Sequence, residues 1–425
     1  MRMETYIRKG LGMKAHWVTE VVESEEGWVA RVDRLGNRRL RCGHCRGETK
    51  MVRGRRPERR WRDLSIRDKA LWIVYRPFRV ICPRCGWRVE GVPWAKKWER
   101  VTQGLAQAIA LLAKKLSFKE VAEHFELDWK VVATVVKRVV AEGLKLRKVK
   151  TLHILGIDEV SRKKGHHYLT VIYDLERGRL LWVGLDRRQE TLDEFFRWLG
   201  KRKTRTLQAI CLDMWAPYVA SVQHHAPQAT LVFDRFHIVQ HLGRAIDEVR
   251  RMEVRRLAHQ EGIDLKKTRF ILLKNPWNLT PKERRRLSHL LKLNLPIVRA
   301  YYLKEEFQRF WDYLQKKRAQ AHLKQWLWWA THSRLQPIID FARLVKDHLP
   351  GLLAWTKLRI SNGALEGMNN KIKLVSHRSF GFRKPDYFIA AIYHCCADLP
   401  LPLPNFYEHF LERSHLFYGY ILDKH

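Results

Sequence analysis

Leu152-His-Ile-Leu-Gly-Ile-Asp158 is an apolar run that closes on a carboxylate, and the block it opens decides the fold. Tyr168-Leu-Thr-Val-Ile-Tyr-Asp174 and Arg179-Leu-Leu-Trp-Val-Gly184 flank Leu175-Glu-Arg-Gly178 and read as a hairpin. Thr191 to Leu199 carries Leu192, Phe195, Phe196 and Leu199 at helical spacing. Thr206-Leu-Gln-Ala-Ile-Cys-Leu-Asp213 is a second acid-tipped strand, and a helix from Pro217 to His225 follows it. Ala229-Thr-Leu-Val-Phe-Asp234 is a third such strand, leading into a helix from about Phe236.

Three antiparallel strands followed by two helix–strand units give the order of an RNase H-like mixed sheet. In that topology the first and fourth strands are neighbours, so Asp158 and Asp213 should meet. Glu159 alternates to the opposite face and is left out of the acid pair. A third acid has to come from a helix. Arg359-Ile-Ser-Asn-Gly-Ala-Leu-Glu-Gly-Met-Asn-Asn-Lys-Ile-Lys-Leu374 supplies one, with Glu366 in its early turns. The cations Lys371, Lys373, Arg378, Arg383 and Lys384 follow. The bland reading of Glu366 is a residue that offsets a helix dipole. Asp234 tips a neighbouring strand ahead of Arg235 and His237, which could contact phosphate or orient a ligand; Asp234 either takes part directly or is structural, pairing with Arg235 or starting a helix. Asn370 lies one turn beyond Glu366 and is a further auxiliary candidate.

Between about 241 and 355 no stretch reads as strand. Gly243–Leu257 and Ile297–Leu314 are long amphipathic helices, with breaks at Pro276, Pro281 and Pro296. Trp326, Trp328 and Trp329 read as core at helical spacing. The segment is expected to be an all-helical insertion between the last strand and the helix of Glu366.

Upstream, residues 16–33 alternate around a Glu-Gly turn as a hairpin. Cys42-Gly-His-Cys45 and Cys82-Pro-Arg-Cys85 are two Cys-x2-Cys knuckles, the pattern of a closed tetrahedral Zn²⁺ site in a zinc ribbon. A redox dithiol would need only one pair, and His44 is a bystander once four thiolates are present. Leu71–Ile81 reads as one strand feeding the second knuckle. Arg59, Arg60 and Arg62 lie among a dense group of arginines suited to phosphates. From Val101 to Arg138 the spacing gives a helix, a capping box at Ser117 and Glu120, a turn at Glu126-Leu-Asp128 and a second helix. That is a helix-turn-helix, whose second helix would present Lys130, Thr134 and Lys137 to a major groove.

Composition agrees. The 425 residues carry 82 Lys and Arg against 44 Asp and Glu, a formal charge of +38, which points to a polyanion. With 46% hydrophobic residues, the chain is not a disordered basic tail. No run of 18 apolar residues or N-terminal signal segment is present, so no membrane partner is expected. Seven cysteines, four of them in close pairs, suit a reducing cytosol and a metal site. The expected division is 1–95 zinc ribbon, 96–148 helix-turn-helix, 149–240 first part of the α/β core, 241–355 helical insertion, and 356–425 second part of the core with C-terminal helices and tail.

Gly156-Ile-Asp-Glu159, His167-Tyr168, Asp213-Met214 with Pro217-Tyr218, Asp234-Arg-Phe-His237, Asn362-Gly-Ala-Leu-Glu-Gly-Met-Asn-Asn-Lys-Ile-Lys373 and Gly381-Phe382 together resemble bacterial insertion-sequence transposases of the ISL-three type. The resemblance runs from about residue 40 to 395. It implies a DDE triad of Asp158, Asp213 and Glu366 holding two Mg²⁺ or Mn²⁺ ions, oxygen-ligated as such hard cations prefer. It implies that the protein nicks double-stranded DNA at transposon ends and joins the 3′-OH to target DNA. It further implies a homodimer or larger assembly bridging two ends, in the bacterial cytoplasm on the nucleoid. Two other readings use the same residues: an RNase H-like nuclease without strand transfer, and a zinc and helix-turn-helix regulator with an inert core.

Overall fold

The computed structural model describes residues 2–163, 165, 167–257, 265, 268–359 and 363–400. The tail expected after residue 400 and Asn362 of the motif lie outside the described residues. At the centre is a five-stranded sheet whose spatial order is Arg179–Leu185, His167–Asp174, Ile154–Lys163, Ala209–Leu212 and Thr230–Phe233. The first three strands are antiparallel, and the last two run parallel to Ile154–Lys163. The first and fourth strands are therefore neighbours, as expected from sequence. The first strand does not stop at Asp158, however. It continues to Lys163, because Asp158 to Lys163 still pair with His167–Val171 of the hairpin strand. Only the parallel ladder on its other edge ends there, with Gly156 opposite Cys211.

Both faces of this sheet are covered. One face packs Leu155, Ile157, Ile210 and Leu212 against the helices Gln189–Leu199 and Ala216–His225. On the opposite face Val160, Val171 and Tyr173 share a core with the helices Gly363–Arg378 and Pro385–Cys396. The same core includes the helices Gln103–Leu112, Phe118–His124 and Trp129–Leu146. Gly156 is where the Glu366 helix comes closest. A Cβ there would lie 2.8 Å from Leu365 Cδ2 and 2.8 Å from Leu175 Cδ2.

From Arg235 to Leu358 the described residues contain helices and no strand. Arg235–Arg256 is the longest, and it packs with Pro296–Gln308 and Gln336–Asp347 around Phe307, Phe310, Trp311 and Trp326. Trp326 is fully buried, with its indole N–H on Leu303 O at 2.8 Å. Trp328 and Trp329 are exposed, contrary to the expectation of core. With Leu323, Trp326 and Ala330 inward, Trp328 lies two residues round from Trp326 on the far side of the helix, and Trp329 falls at the edge of the buried stripe, 38% exposed.

The N-terminal part is more than a ribbon. The hairpin His16–Ser24 and Gly27–Arg34 joins Lys69–Tyr75 and Arg59–Ile66 in a four-stranded sheet over Trp61 and Trp94. The expected single strand across 71–81 is two strands, Lys69–Tyr75 and Phe78–Cys82, because Pro77 lacks the N–H to continue the ladder. The Ser117–Glu120 capping box forms in full, and Asp128 caps the next helix through Lys130 N.

Candidate active site and nucleic-acid interface

The register of the parallel strands sets the acids. Gly156 pairs with Cys211, and Leu212 pairs with Phe233. Two residues beyond the first pair lie Asp158 and Asp213; one beyond the second lie Asp213 and Asp234. All three aspartates thus stand at one level, at the carboxyl ends of adjacent parallel strands, and by strand alternation on one face. Asp234 N donates to Leu212 O at 3.1 Å, which extends the ladder by one bond. Asp234 also caps its helix by accepting from Phe236 N.

His237, one turn into that helix, is at the centre of the three. Its Nε2 is 3.8 Å from Asp158 Oδ1 and 3.5 Å from Asp234 Oδ2, and its Nδ1 is 3.7 Å from Asp213 Oδ2. Burial alone would lower its pKa, but the pull of Asp158, Asp213 and Asp234 outweighs it and raises it to about 9. The imidazolium is thus the cation among three acids. Asp234 is pushed up to about 6, first by burial and then by the neighbouring acids. Its buried Oδ2 has no hydrogen-bond partner.

The helix Gly363–Arg378 lies over Asp158. Asn369 donates to Asp158 Oδ2 at 2.6 Å and accepts from the Tyr173 hydroxyl at 2.8 Å. Asn370, the auxiliary named from sequence, is exposed one position further round the helix. Asn369 was missed; with Leu365 taken as inward, four-residue spacing would have pointed to it. Glu366 is exposed in the first turn, beside Leu365 and one turn before Asn369. Among the described residues, the only group of three or more His, Cys, Asp or Glu with ligand atoms within 4.8 Å of one another is Cys42, Cys45, Cys82 and Cys85. Asp158, Asp213 and Glu366 are therefore not drawn together to that distance. Glu159 falls on the other side of the strand, 3.5 Å from Arg187 Nη1.

The four thiols are brought together across 37 residues, with Cys45 Sγ and Cys82 Sγ at 3.5 Å. This cluster can hold a metal ion, and four sulfurs in two knuckles suit zinc.

The basic residues divide. Lys371, Lys373, Arg383 and Lys384 are exposed beyond Glu366. Arg378 is spent on the fold, donating to Lys114 O at 3.0 Å and Ala113 O at 3.2 Å. Arg62 is buried, bonded to Asp63 O at 2.8 Å and Ser65 Oγ at 3.2 Å, so it is not available to phosphates. Arg60 is exposed and paired with Glu26; Arg59 donates to Glu99 O at 3.1 Å. Arg235 is exposed, its guanidinium 5.4 Å from the centre of the Trp311 ring. On the second helix of the helix-turn-helix, Lys130 and Thr134 are exposed. Lys137 reaches Asp386 at 3.6 Å and the Tyr387 ring at 5.4 Å. The Pro385–Cys396 helix therefore covers part of this face, Tyr387 also meeting the Trp129 ring at 5.5 Å, while Lys130 and Thr134 stay exposed.

Known families match these two parts in turn. A family model described as a transposase, of the DDE and ISL3 type, matches residues 155–392, and one for the helix-turn-helix domain of transposase family ISL3 matches 90–140. The transposase for insertion sequence element IS1001 of Bordetella parapertussis is 32% identical over 355 residues, 83% of this chain and 87% of its own. The transposase for insertion sequence element IS1557 of Mycobacterium tuberculosis is 30% identical over 96% of this chain and 99% of its own. A transposase implies DNA as partner and divalent metal in its chemistry, and among the described residues no helix is long and apolar enough to cross a membrane. The helix-turn-helix, the acid-tipped parallel strands and the matches over both make this chain a member of the ISL3 family of transposases.

Proposed function

We propose that the chain cuts DNA at the ends of an insertion sequence and joins the freed 3′-OH ends to target DNA, using an RNase H-like core. One observation carries this: Asp158, Asp213 and Asp234 stand at one level on adjacent parallel strands, with the helix of Glu366 held over them through Asn369. Carboxyl ends of parallel strands are where open α/β sheets place their ligands.

The residues fit a pair of Mg²⁺ or Mn²⁺ ions. The donors are carboxylate oxygens, as hard cations require. Three acids gathered on one imidazolium, with a buried Asp234 oxygen that makes no hydrogen bond, mark a place short of positive charge. Asp158, Asp213 and Glu366 would hold the ions. Bound there, divalent ions supply an activated water or 3′-OH and stabilise the leaving oxygen. The protein's own part is positional. Asn369 fixes the Asp158 carboxylate, and His237 keeps the aspartates from repelling one another open. Lys371 and Lys373, one to two turns beyond Glu366, and Arg383 and Lys384 grip the strand being cut. Lys130 and Thr134 read the terminal repeats, Arg59 and Arg60 sit against the backbone, and Cys42, Cys45, Cys82 and Cys85 hold Zn²⁺. Two ends have to be joined at once, which calls for a dimer or larger assembly on DNA.

The test is a Mg²⁺-dependent reaction on labelled duplex carrying the flanking inverted repeats, with a supercoiled target and Asp213→Asn as control. Cleavage at the ends with joined product, absent in the variant, is the expected result. Cleavage without joining would leave a nuclease; specific binding without cleavage in either protein would leave a regulator.

A further inference from the structure

A cleft of about 1630 Å³ runs between the N-terminal sheet, the first cysteine knuckle, the strand Gly86–Val89 and the turn of the helix-turn-helix. Its walls carry the indoles of Trp72, Trp87 and Trp98 and a row of cations that includes Arg56, Arg88 and Arg100. None of these tryptophans is core. Trp87 is 53% exposed and Trp98 79% exposed, while Trp61 just beneath is buried. Trp72 lies under the Arg60 guanidinium, 4.4 Å from its ring centre, and Lys97 Nζ is 5.5 Å from the Trp98 ring. Of the five acids on the walls, Glu26 is paired with Arg60, Glu58 is 3.8 Å from Arg31, Glu90 is buried on His16 and Tyr75, Asp128 caps its helix through Lys130 N, and Glu126 is exposed, against ten lysines and arginines. The cleft is therefore left basic.

Trp98 stands out further. Its φ is +68°, the left-handed region that disfavours a bulky L-residue. A glycine would meet that turn without strain, and a ring held in water gains nothing by burial. A ring this exposed can take a planar partner on its face. Duplex DNA offers phosphates and base edges, because its base faces are already stacked on one another. Aromatic faces interleaved with cations suit bases that are unpaired.

We propose that this cleft binds single-stranded DNA, stacking unpaired bases on Trp98 and Trp87 while its arginines track the backbone. The inference rests on the reading of the chain as a DNA-cutting transposase and adds to it a second nucleic-acid form and place. An opened transposon end is the form that such a site would hold while the helix-turn-helix stays on the adjoining duplex.

The test is fluorescence anisotropy of the full chain with labelled oligo(dT) of about 20 nucleotides and with a duplex of that length. Trp98→Gly relieves the backbone and keeps the fold; Trp87→Ala, on an exposed strand, is the second variant. Each should weaken oligo(dT) binding by about ten-fold or more, as loss of a base–aromatic stack does. Duplex binding should stay within about two-fold, since phosphate contacts carry it. Equal losses on both probes, or no loss on either with duplex binding intact, would overturn the proposal and leave the transposase reading standing. Failure of the wild-type chain to bind either probe would overturn both. Displacement by a poly-glutamate peptide as readily as by oligo(dT) would reassign the cleft to an acidic protein segment.

Discussion

Asn369 donates to Asp158 Oδ2 at 2.6 Å from 211 residues away, and with its other end it accepts from the Tyr173 hydroxyl. One side chain therefore ties the Glu366 helix to the first strand at the acid itself. Removing it in Asn369→Ala strands a buried tyrosine hydroxyl, at about 1–3 kcal/mol. It also frees the Asp158 carboxylate to swing, and lost outer hydrogen bonds to metal ligands lower activity by about 10–100-fold. End cleavage should fall by that range while binding of end duplex is kept. Asn369→Asp should be worse, since it sets a carboxylate against a carboxylate. A variant that binds and cleaves like the parent would separate Asn369 from the site.

Gly156 is where the helix and strand touch, and its replacement tests whether that closeness matters. A Cβ at 2.8 Å from both Leu175 and Leu365 forces one of them to move. Gly156→Ala should cost about 1–3 kcal/mol, as overpacking does. Leu365 adjoins Glu366, so cleavage should drop more than melting temperature alone accounts for. Thermal melts and cleavage rates measured on one preparation give both halves of this expectation.

The parts legible in sequence were those that local rules govern. Strand alternation, the Ser117–Glu120 capping box and the acid-tipped strands each follow from a few neighbouring residues, and the adjacency of the first and fourth strands followed from them. What could not be read depended on partners far away. The first strand runs past Asp158 into polar Glu159, Ser161 and Arg162 because the hairpin strand is there to pair with it. Arg62 counts as one more phosphate ligand in sequence, yet its neighbours Asp63 and Ser65 take it inward. Asn369 and Asn370 differ only in helical phase, and the phase is set by Leu365 docking on Gly156. Pro77 could have been read as a break and was read through.

The four-cysteine cluster should be a folding element for the N-terminal part. Cys42 and Cys82 are buried, and besides the thiols the two knuckle segments are joined by backbone hydrogen bonds such as Gly43 N to Val89 O at 3.0 Å and Ile81 N to Met51 O at 2.9 Å. Chelation of the metal, or Cys82→Ser, should unfold this region, since structural zinc supplies folding free energy outright. Binding to end duplex should fall steeply, and a low-temperature transition should separate in calorimetry. The core, built around its own sheet, should melt where it did. A single unchanged transition after full metal removal would show that the four-stranded sheet folds on its own.

His394 makes the attachment of the helix-turn-helix to the core depend on pH. Its Nε2 is 2.7 Å from Ala110 O, so Nε2 carries the proton, and its buried Nδ1 has no partner. A second proton on Nδ1 would have no acceptor. Burial lowers this histidine from 6.5 to about 4, with the nearby Lys114 and Arg378 acting in the same sense. The sign follows: above pH 6.5 both folded and unfolded forms are neutral and the stabilisation is complete. As pH falls from there toward 4, the unfolded chain takes up a proton that the folded chain refuses, and stability declines by an amount on the order of 3 kcal/mol. His394→Gln keeps an N–H for Ala110 O and cannot titrate in this range. Denaturant midpoints measured between pH 7 and 4 should fall more steeply for the parent chain than for the variant, the difference opening below about pH 6.5. Parallel slopes would mean that His394 is protonated in the folded chain and that the Ala110 contact is not what holds the two parts together in acid.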